Sequence, residues 1–214
     1  MHYLIFDDRQ HAGRLLVHNI ASMNLADPLV LAIPRGGVVV GYEIAKQLGC
    51  PLDVIIPRKI GAPFEPELAV GAVTEDGTLY INERICGIYG ISKSYLDAES
   101  QAQMREIKRR AESYRKGAKP IIIARKTVIL VDDGIATGAT MRAAIISVKK
   151  NHPKDVIVAV PVGAKETVNT LKKEVKVVAL HVPEDMGAVG EFYRNFEQTS
   201  DQEVISLLES CRKG

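Results

Sequence analysis

Short aliphatic runs alternate along the chain with stretches of helical period. Runs of strand length lie at Leu29–Ile33, Leu52–Pro57, Thr127–Asp132, Asp155–Pro161 and Val175–Val182. No polar residue interrupts Val128-Ile129-Leu130-Val131, which marks a strand covered on both faces of a parallel sheet. Helical patterns follow at Val38–Leu48, Ala139–Lys150 and Lys165–Lys173. This alternation predicts an α/β fold with a doubly wound parallel sheet, whose ligands bind at the carboxyl ends of the strands.

Two regions depart from the alternation. Residues 58 to 90 are punctuated by glycine and proline around the strand-like pieces Leu68–Thr74 and Thr78–Ile81, which predicts a β-hairpin turning at Asp76-Gly77. A long helix is expected from Tyr95 to Arg115, opened by Ser94 with Asp97 three residues on in the manner of a capping box. Its apolar stripe is Leu96, Met104, Ile107, Ala111 and Tyr114, and Glu99, Glu106 and Glu112 break up the cluster Lys108-Arg109-Arg110. That cluster reads as a solvated face rather than a nucleic-acid surface. The whole suggests one domain over residues 1–214. Residues 58–118 form an inserted hood and residues 183–214 a C-terminal hood and helix, with no repeats or low-complexity tract.

Composition narrows the classes. With 46% hydrophobic and 25% charged residues the chain can bury a sizeable core, so extensive disorder is excluded. Lysine and arginine total 28 against 26 acids, a net charge of +2, so no global field calls for nucleic acid; a phosphate-rich ligand would depend on local placement. Cys50, Cys86 and Cys211 form no CxxC pair and no metal-ligand spacing, as expected of reduced cytoplasmic thiols. No apolar run reaches the ~20 residues that span a bilayer. The start, Met1-His2-Tyr3-Leu4-Ile5-Phe6-Asp7-Asp8, turns acidic too soon for a signal peptide. A cytoplasmic protein without a membrane partner is the expectation. The five histidines give no metal triad and no serine sits in a nucleophile elbow, so a hydrolase is unsupported.

The most informative segment is Val128-Ile129-Leu130-Val131-Asp132-Asp133-Gly134-Ile135-Ala136-Thr137-Gly138-Ala139-Thr140. A buried strand ends in two carboxylates, a loop of small and hydroxylic residues follows, and a helix starts near Ala139. Unpaired N–H groups at a helix start point outward and the macrodipole favours an anion there. Thr137 and Thr140 add hydroxyls, while Gly138 and Ala139 admit close backbone approach, so the loop suits a phosphate monoester. Asp132 and Asp133 would repel that phosphate. They suit vicinal hydroxyls and a divalent cation beside it, a demand that a ribose 5-phosphate meets. The segment lacks the Gly-Lys-Ser/Thr of a Walker A loop and the glycine spacing of a Rossmann fingerprint. A phosphoacceptor receiver domain, which also ends a strand in paired aspartates, lacks the threonine-glycine loop.

At these residues the chain resembles the type I phosphoribosyltransferases, whose 5-phosphoribosyl-1-pyrophosphate (PRPP) loop is four aliphatics, two acids, a variable pair, then small–Thr–Gly–small–Thr. The likeness extends over about residues 30–200, and the whole resembles a stand-alone phosphoribosyltransferase family of bacteria and archaea. The resemblance implies that Asp132 and Asp133 hold the ribose hydroxyls and a Mg²⁺ bound to them. Ala136, Thr137, Gly138, Ala139 and Thr140 would wrap the 5-phosphate. Ala32-Ile33-Pro34-Arg35-Gly36-Gly37 matches the family's pyrophosphate loop, with Arg35 as a bidentate donor and Gly36 and Gly37 presenting N–H groups. Arg58 and Lys59, expected in a Gly/Pro loop after the next strand, would add a second cationic contact to pyrophosphate. Residues beyond Lys59 are expected to close over the site and exclude water. Val182-Pro183-Glu184-Asp185 and Phe192-Tyr193 are candidates to meet the acceptor, the two aromatics by stacking on a flat base.

The implied activity transfers the phosphoribosyl group to a nitrogenous acceptor, with Arg35, Asp132 and Asp133 carrying catalysis and a homodimer as the expected assembly. Relatives acting on 6-oxopurines carry an aspartate where this chain has Ala136, which disfavours hypoxanthine and guanine. The alternative on the same fold is a non-catalytic PRPP or nucleotide sensor. It would be expected to carry a DNA-binding domain or a basic RNA-binding face, and neither is evident. The reading makes two structural demands. The paired carboxylates must not be locked in buried ion pairs, and the turn over residues 134–140 must be open enough to admit an anion.

Overall fold

The computed structural model describes residues 5–213. The first four residues, and with them part of the reading on a signal peptide, lie outside the described residues. The chain runs through α1 (Arg9–Ala21), β1 (Pro28–Ala32), α2 (Gly36–Leu48) and β2 (Leu52–Val54). It leaves the alternation for β3 (Arg58–Gly61), β4 (Ala69–Val73), β5 (Leu79–Ile81), α3 (Glu83–Tyr89) and α4 (Lys93–Arg115). It then returns through β6 (Thr127–Val131), α5 (Ala139–Lys150), β7 (Asp155–Val162), α6 (Lys165–Leu171) and β8 (Lys176–His181). A short 3₁₀ turn (Val189–Phe192) precedes α7 (Asp201–Lys213).

Five strands form one parallel sheet in the order β2-β1-β6-β7-β8. All five residues of β6 are buried, as its uninterrupted aliphatic run predicts. Alternate residues feed the two faces. Val30, Ile129 and Val131 join Leu16, Ile44, Ile107 and Leu208 on one side, and Leu29, Val128 and Leu130 join Met141, Ile145 and Leu171 on the other. Each such Leu, Ile or Val contributes roughly 1.5–3 kcal/mol on full burial. The order places β1 beside β6 while β2 lies on β1's far edge. The winding therefore reverses between β1 and β6, and in a doubly wound sheet the crevice at such a reversal receives the ligand.

A second, antiparallel sheet, β3-β4-β5, carries the hood. Its β4–β5 hairpin turns where expected: Gly77 has φ +77°, and Asp76 accepts from the Thr74 hydroxyl at 2.6 Å and from the Thr78 amide at 3.1 Å. Three expectations need correction. The run Leu52–Pro57 is not one strand, because β2 ends at Val54 and the chain passes Pro57, which has no N–H to give a ladder, into β3. The long helix starts at Lys93, and its cap is Ser92, whose Oγ accepts from the Tyr95 amide at 3.2 Å, not Ser94. Finally, α1 and α3 were not expected from the sequence. The stripe of α4 faces the core as expected, with Ile107, Ala111 and Tyr114 buried. Arg109 and Arg110 both bind Glu106, at 2.8 and 2.7 Å.

Candidate active site at the carboxyl ends of β1 and β6

β6 ends at Val131 and delivers Asp132 and Asp133 to the mouth of the crevice. The next residues do not fold back on the sheet. Ile135 is tied down, its amide donating to the Val162 carbonyl at 3.0 Å and its carbonyl accepting from the Ala164 amide at 2.8 Å, but Ala136 and Thr137 are exposed. The amides of Ala136, Thr137 and Gly138 find no acceptor among the described residues. Gly138 caps α5 with φ +75°, a conformation that costs glycine least, and a Cβ there would meet Thr167 Cγ2 at 2.5 Å. The Thr167 hydroxyl donates to the Ala136 carbonyl at 2.7 Å. Three amides thus lack an acceptor among the described residues at the start of a helix, where the macrodipole favours an anion. Ala136 and Thr137 thus face solvent, while Gly138 and Ala139 are buried at the helix start.

The first demand is met by one carboxylate and not by the other. Asp132 takes part in no ion pair among the described residues; its Oδ1 accepts from the Asp133 amide at 2.8 Å. It keeps part of its surface open, yet protein surrounds it closely enough that burial, and next the Asp133 carboxylate, push its carboxyl well above the usual range. Asp133 is paired: Arg9 Nε donates to its Oδ2 at 2.7 Å, and both side chains are mostly buried, at 12% and 16% exposure. The expectation that both carboxylates stand free is corrected here. Two adjacent acids at a strand end repel each other, and a cation from α1 relieves that repulsion. No sequence signal linked Arg9 to Asp133 across 124 positions.

The arginine loop meets the acid pair directly. A Cβ on Gly36 would lie 1.9 Å from Asp133 Oδ2, and one on Gly37 would lie 2.8 Å from the Val131 carbonyl oxygen and 2.9 Å from Asp132 Cα. Only glycines allow α2 to start this close to the end of β6. The Pro34–Arg35 peptide is cis. Arg35 stands half-buried with Nη1 3.7 Å from Asp201 of α7, and the same Asp201 oxygen accepts from the Tyr114 hydroxyl at 2.7 Å. The start of α2 thus packs against the pair of acids, which the loop of residues 134–138 joins to the start of α5, while Arg35 faces Asp201.

Arg58 and Lys59 lie on β3 rather than in a loop. Arg58 Nε donates to Gln103 of α4 at 2.7 Å, while Lys59 Nζ bonds the Glu67 carboxylate at 2.9 Å. Burial, and then the nearby Arg110, lower the Arg58 pKa. Both residues line a cavity of about 540 Å³ between the hood and α4, to which Pro34 of the arginine loop also contributes.

Phe192 and Tyr193 offer no face to a flat acceptor. They are 3% and 6% exposed and pack with Phe6 and Val162. The Tyr193 hydroxyl instead donates to the Asp133 carbonyl at 2.6 Å, and burial, then the Asp133 charge, push its pKa up. Next to them Phe196 is partly exposed and lies under the Arg9 guanidinium, 3.9 Å from it. Adjacent aromatics suggest a stacking platform, whereas the fold uses Tyr193 to hold the Asp133 carbonyl. Arg9 and Asp201 reach Asp133 and Arg35 from distant elements, and Tyr114, on the expected core stripe, reaches Arg35 through Asp201; no local pattern links them. Among the described residues no group of three or more His, Cys, Asp or Glu could hold a metal ion, the three cysteines are free, and no helix is long and apolar enough to cross a membrane.

The fold is a doubly wound sheet with an acid pair and a helix-start turn at its switch point. Residues 6–197 match the phosphoribosyl transferase domain, and the chain belongs to that family. It is 41% identical over 210 residues to a Mycobacterium tuberculosis protein provisionally named a phosphoribosyl transferase, covering 98% of this chain and 47% of that one. The chain thus spans about half the length of the curated relatives it matches. TT1426 from Thermus thermophilus, a solved structure, is 44% identical with a TM-score of 0.83, covering 96% of this chain and 98% of its own. A Neisseria gonorrhoeae protein solved with bound ppGpp shares the fold at 14% identity, with a TM-score of 0.55 and coverage of 97% and 95%.

Proposed function

We propose that this protein is a Mg²⁺-dependent phosphoribosyltransferase that moves the 5-phosphoribosyl group of PRPP to a small nitrogenous acceptor and releases pyrophosphate. The observation that carries the reading is the packing of Gly36 and Gly37, at the start of α2, against the Asp132–Asp133 pair at the switch point, with the unpaired amides of Ala136, Thr137 and Gly138 next in the chain. The open turn from Ala136 to Thr140 suits the 5-phosphate. Arg35 with the Gly36 and Gly37 amides suits the pyrophosphate, and Arg58 and Lys59 reach it from the hood.

In the proposed transfer the bond from ribose C1 to the pyrophosphate oxygen breaks and its electron pair leaves with pyrophosphate. A nitrogen lone pair of the acceptor forms the new bond to C1, and a proton then departs from that nitrogen. Negative charge grows on the leaving group and positive charge on the ribose, so fixed donors and carboxylates lower the barrier without covalent participation. Removing one preorganised donor of this kind costs ~3 kcal/mol of barrier. Asp132 and Asp133 accept from the ribose hydroxyls, Asp133 while its Oδ2 stays paired with Arg9. The donor set fits Mg²⁺, which takes one or two carboxylates with the remaining places filled by water and ligand phosphates. Bound there, it would neutralise the pyrophosphate. Ala136 favours adenine, a pyrimidine or an amide nitrogen over a 6-oxopurine as acceptor. A cytoplasmic homodimer completes the proposal, and light scattering of the purified chain tests the dimer.

The deciding experiment is calorimetric titration with PRPP and Mg²⁺, followed by pyrophosphate release against a panel of bases and amides. Binding and release are expected, with Arg35→Ala and Asp133→Asn each losing most of both. Tight binding without release for any acceptor would leave a sensor in place of an enzyme. Absence of binding would end the phosphoribosyl reading.

A further inference from the structure

Asp133 is held at both ends by residues from outside its own loop. Tyr193 binds its carbonyl at 2.6 Å and Arg9 binds its carboxylate at 2.7 Å. Arg9 is in turn fixed on three sides, because Nη1 donates to the Glu197 carbonyl at 2.7 Å and the guanidinium lies over the Phe196 ring at 3.9 Å. These partners belong to one strap. Phe6 and Tyr193 form a parallel bridge, and amides at residues 6, 194 and 195 bond carbonyls at 192, 6 and 7. The helix that begins at Arg9 does not need this side chain to stay folded. Asp8 caps it through the His11 amide at 2.7 Å, and Leu16, Val17 and Ile20 anchor it in the core. An arginine desolvated this far, with its planar fork divided between a carboxylate and a strap carbonyl, fixes a geometry that a surface ion pair would leave loose.

We propose that Arg9 is a positioning residue for Asp133: it sets the carboxylate's orientation against Gly36 before the ligand arrives. The inference rests on the phosphoribosyl reading, in which the Asp133 carboxylate accepts from ribose. An acceptor already oriented spares the ligand the ordering of that side chain. Without Arg9 the carboxylate would be free to turn, and its repulsion from Asp132 would drive it away from the ligand's side.

The test is calorimetric titration of the native chain, Arg9→Met, Arg9→Lys, Asp133→Asn and the Arg9→Met/Asp133→Asn double variant with PRPP and Mg²⁺. Each Tm is measured alongside. Arg9→Met keeps the stem over Phe196 and removes the fork; its Kd is expected to rise about tenfold or more, by analogy with outer-shell partners of ligating groups. Arg9→Lys is expected to recover part of the loss. In the Asp133→Asn background the Arg9→Met change should add nothing, which is the coupling that a positioning role demands. A merely structural Arg9 would lower Tm in both backgrounds and leave Kd alone. Native-like Kd in Arg9→Met, or equal losses in both backgrounds, overturns the inference while the phosphoribosyl reading stands. If the native chain itself binds no PRPP, that reading falls and the inference falls with it.

Discussion

Gly36 and Gly37 are neighbours in the arginine loop, yet a methyl group would meet different obstacles at each. At Gly36 the obstacles are the ends of two side chains, Asp133 Oδ2 at 1.9 Å and Arg9 Nε at 2.5 Å. Making room there breaks the mostly buried Arg9–Asp133 pair, so Gly36→Ala should lower Tm and the displaced acid should lose its place in the site. At Gly37 the obstacles are the backbone of Val131 and the Cα of Asp132, which can yield only if the start of α2 retreats from β6. Gly37→Ala is therefore expected to cost roughly 1–3 kcal/mol of stability, the usual range for overpacking a tight contact. Urea denaturation with PRPP titration of both variants separates the two effects. A Gly36→Ala protein that binds as well as the native chain, or a Gly37→Ala protein of native stability, would show that the loop does not fit as described.

Between elements, the contact that matters most to the arginine is that of α4 with α7. Tyr114, fully buried in α4, donates to Asp201 at the start of α7, and Asp201 faces Arg35. Burial first, then the hydrogen bond to Asp201, push the Tyr114 hydroxyl up to about 12. An unfolded tyrosine titrates near 10, so the folded state keeps the proton longer. The contribution is whole below pH 10 and is lost as pH rises from there through about 12, where the unfolded state alone has released its proton first. The native Tm should consequently fall more steeply over that window than that of Tyr114→Phe, and parallel Tm profiles would contradict the buried hydrogen bond. Elements of this kind were only half legible in the sequence. Tyr114 was placed on the core stripe by its spacing from Ile107 and Ala111, because helical period reports burial directly. Its partner was not, because a pairing across 87 positions leaves no local pattern. The same limit hid Arg9. By contrast the loop from Asp132 to Thr140 was readable, since strand, acids, turn and helix start are contiguous. The aromatics failed for another reason: adjacency in sequence says nothing about which face is covered, and Phe6 and Val162 cover these.

Across the whole molecule the hood must be fastened to the sheet if Arg58 is to face the arginine loop, and the fastening is Arg115 at the end of α4. Its Nε bonds Asp53 of β2 at 3.2 Å, Nη1 bonds Glu75 of the hairpin at 2.6 Å, and Nη2 donates to the Val54 carbonyl at 2.9 Å. Asp53 is 1% exposed, and it also accepts from the Ile121 amide at 3.1 Å, so one buried acid gathers the sheet edge, the hood helix and the segment leading into β6. Such a pair adds little over apolar packing, but breaking it leaves a charge without a partner, at a cost of about 3–5 kcal/mol. Arg115→Met should lose about that much in urea denaturation. Adding Asp53→Asn should return part of it, because the orphaned charge is gone while the amide can still serve Ile121. A loss below about 1 kcal/mol, the ceiling for an exposed pair, would mean that water reaches Asp53 and that the hood is held by its apolar contacts alone. In that event Arg58 would owe its place to Ile60 and Val70 packing into the core rather than to a charged tether.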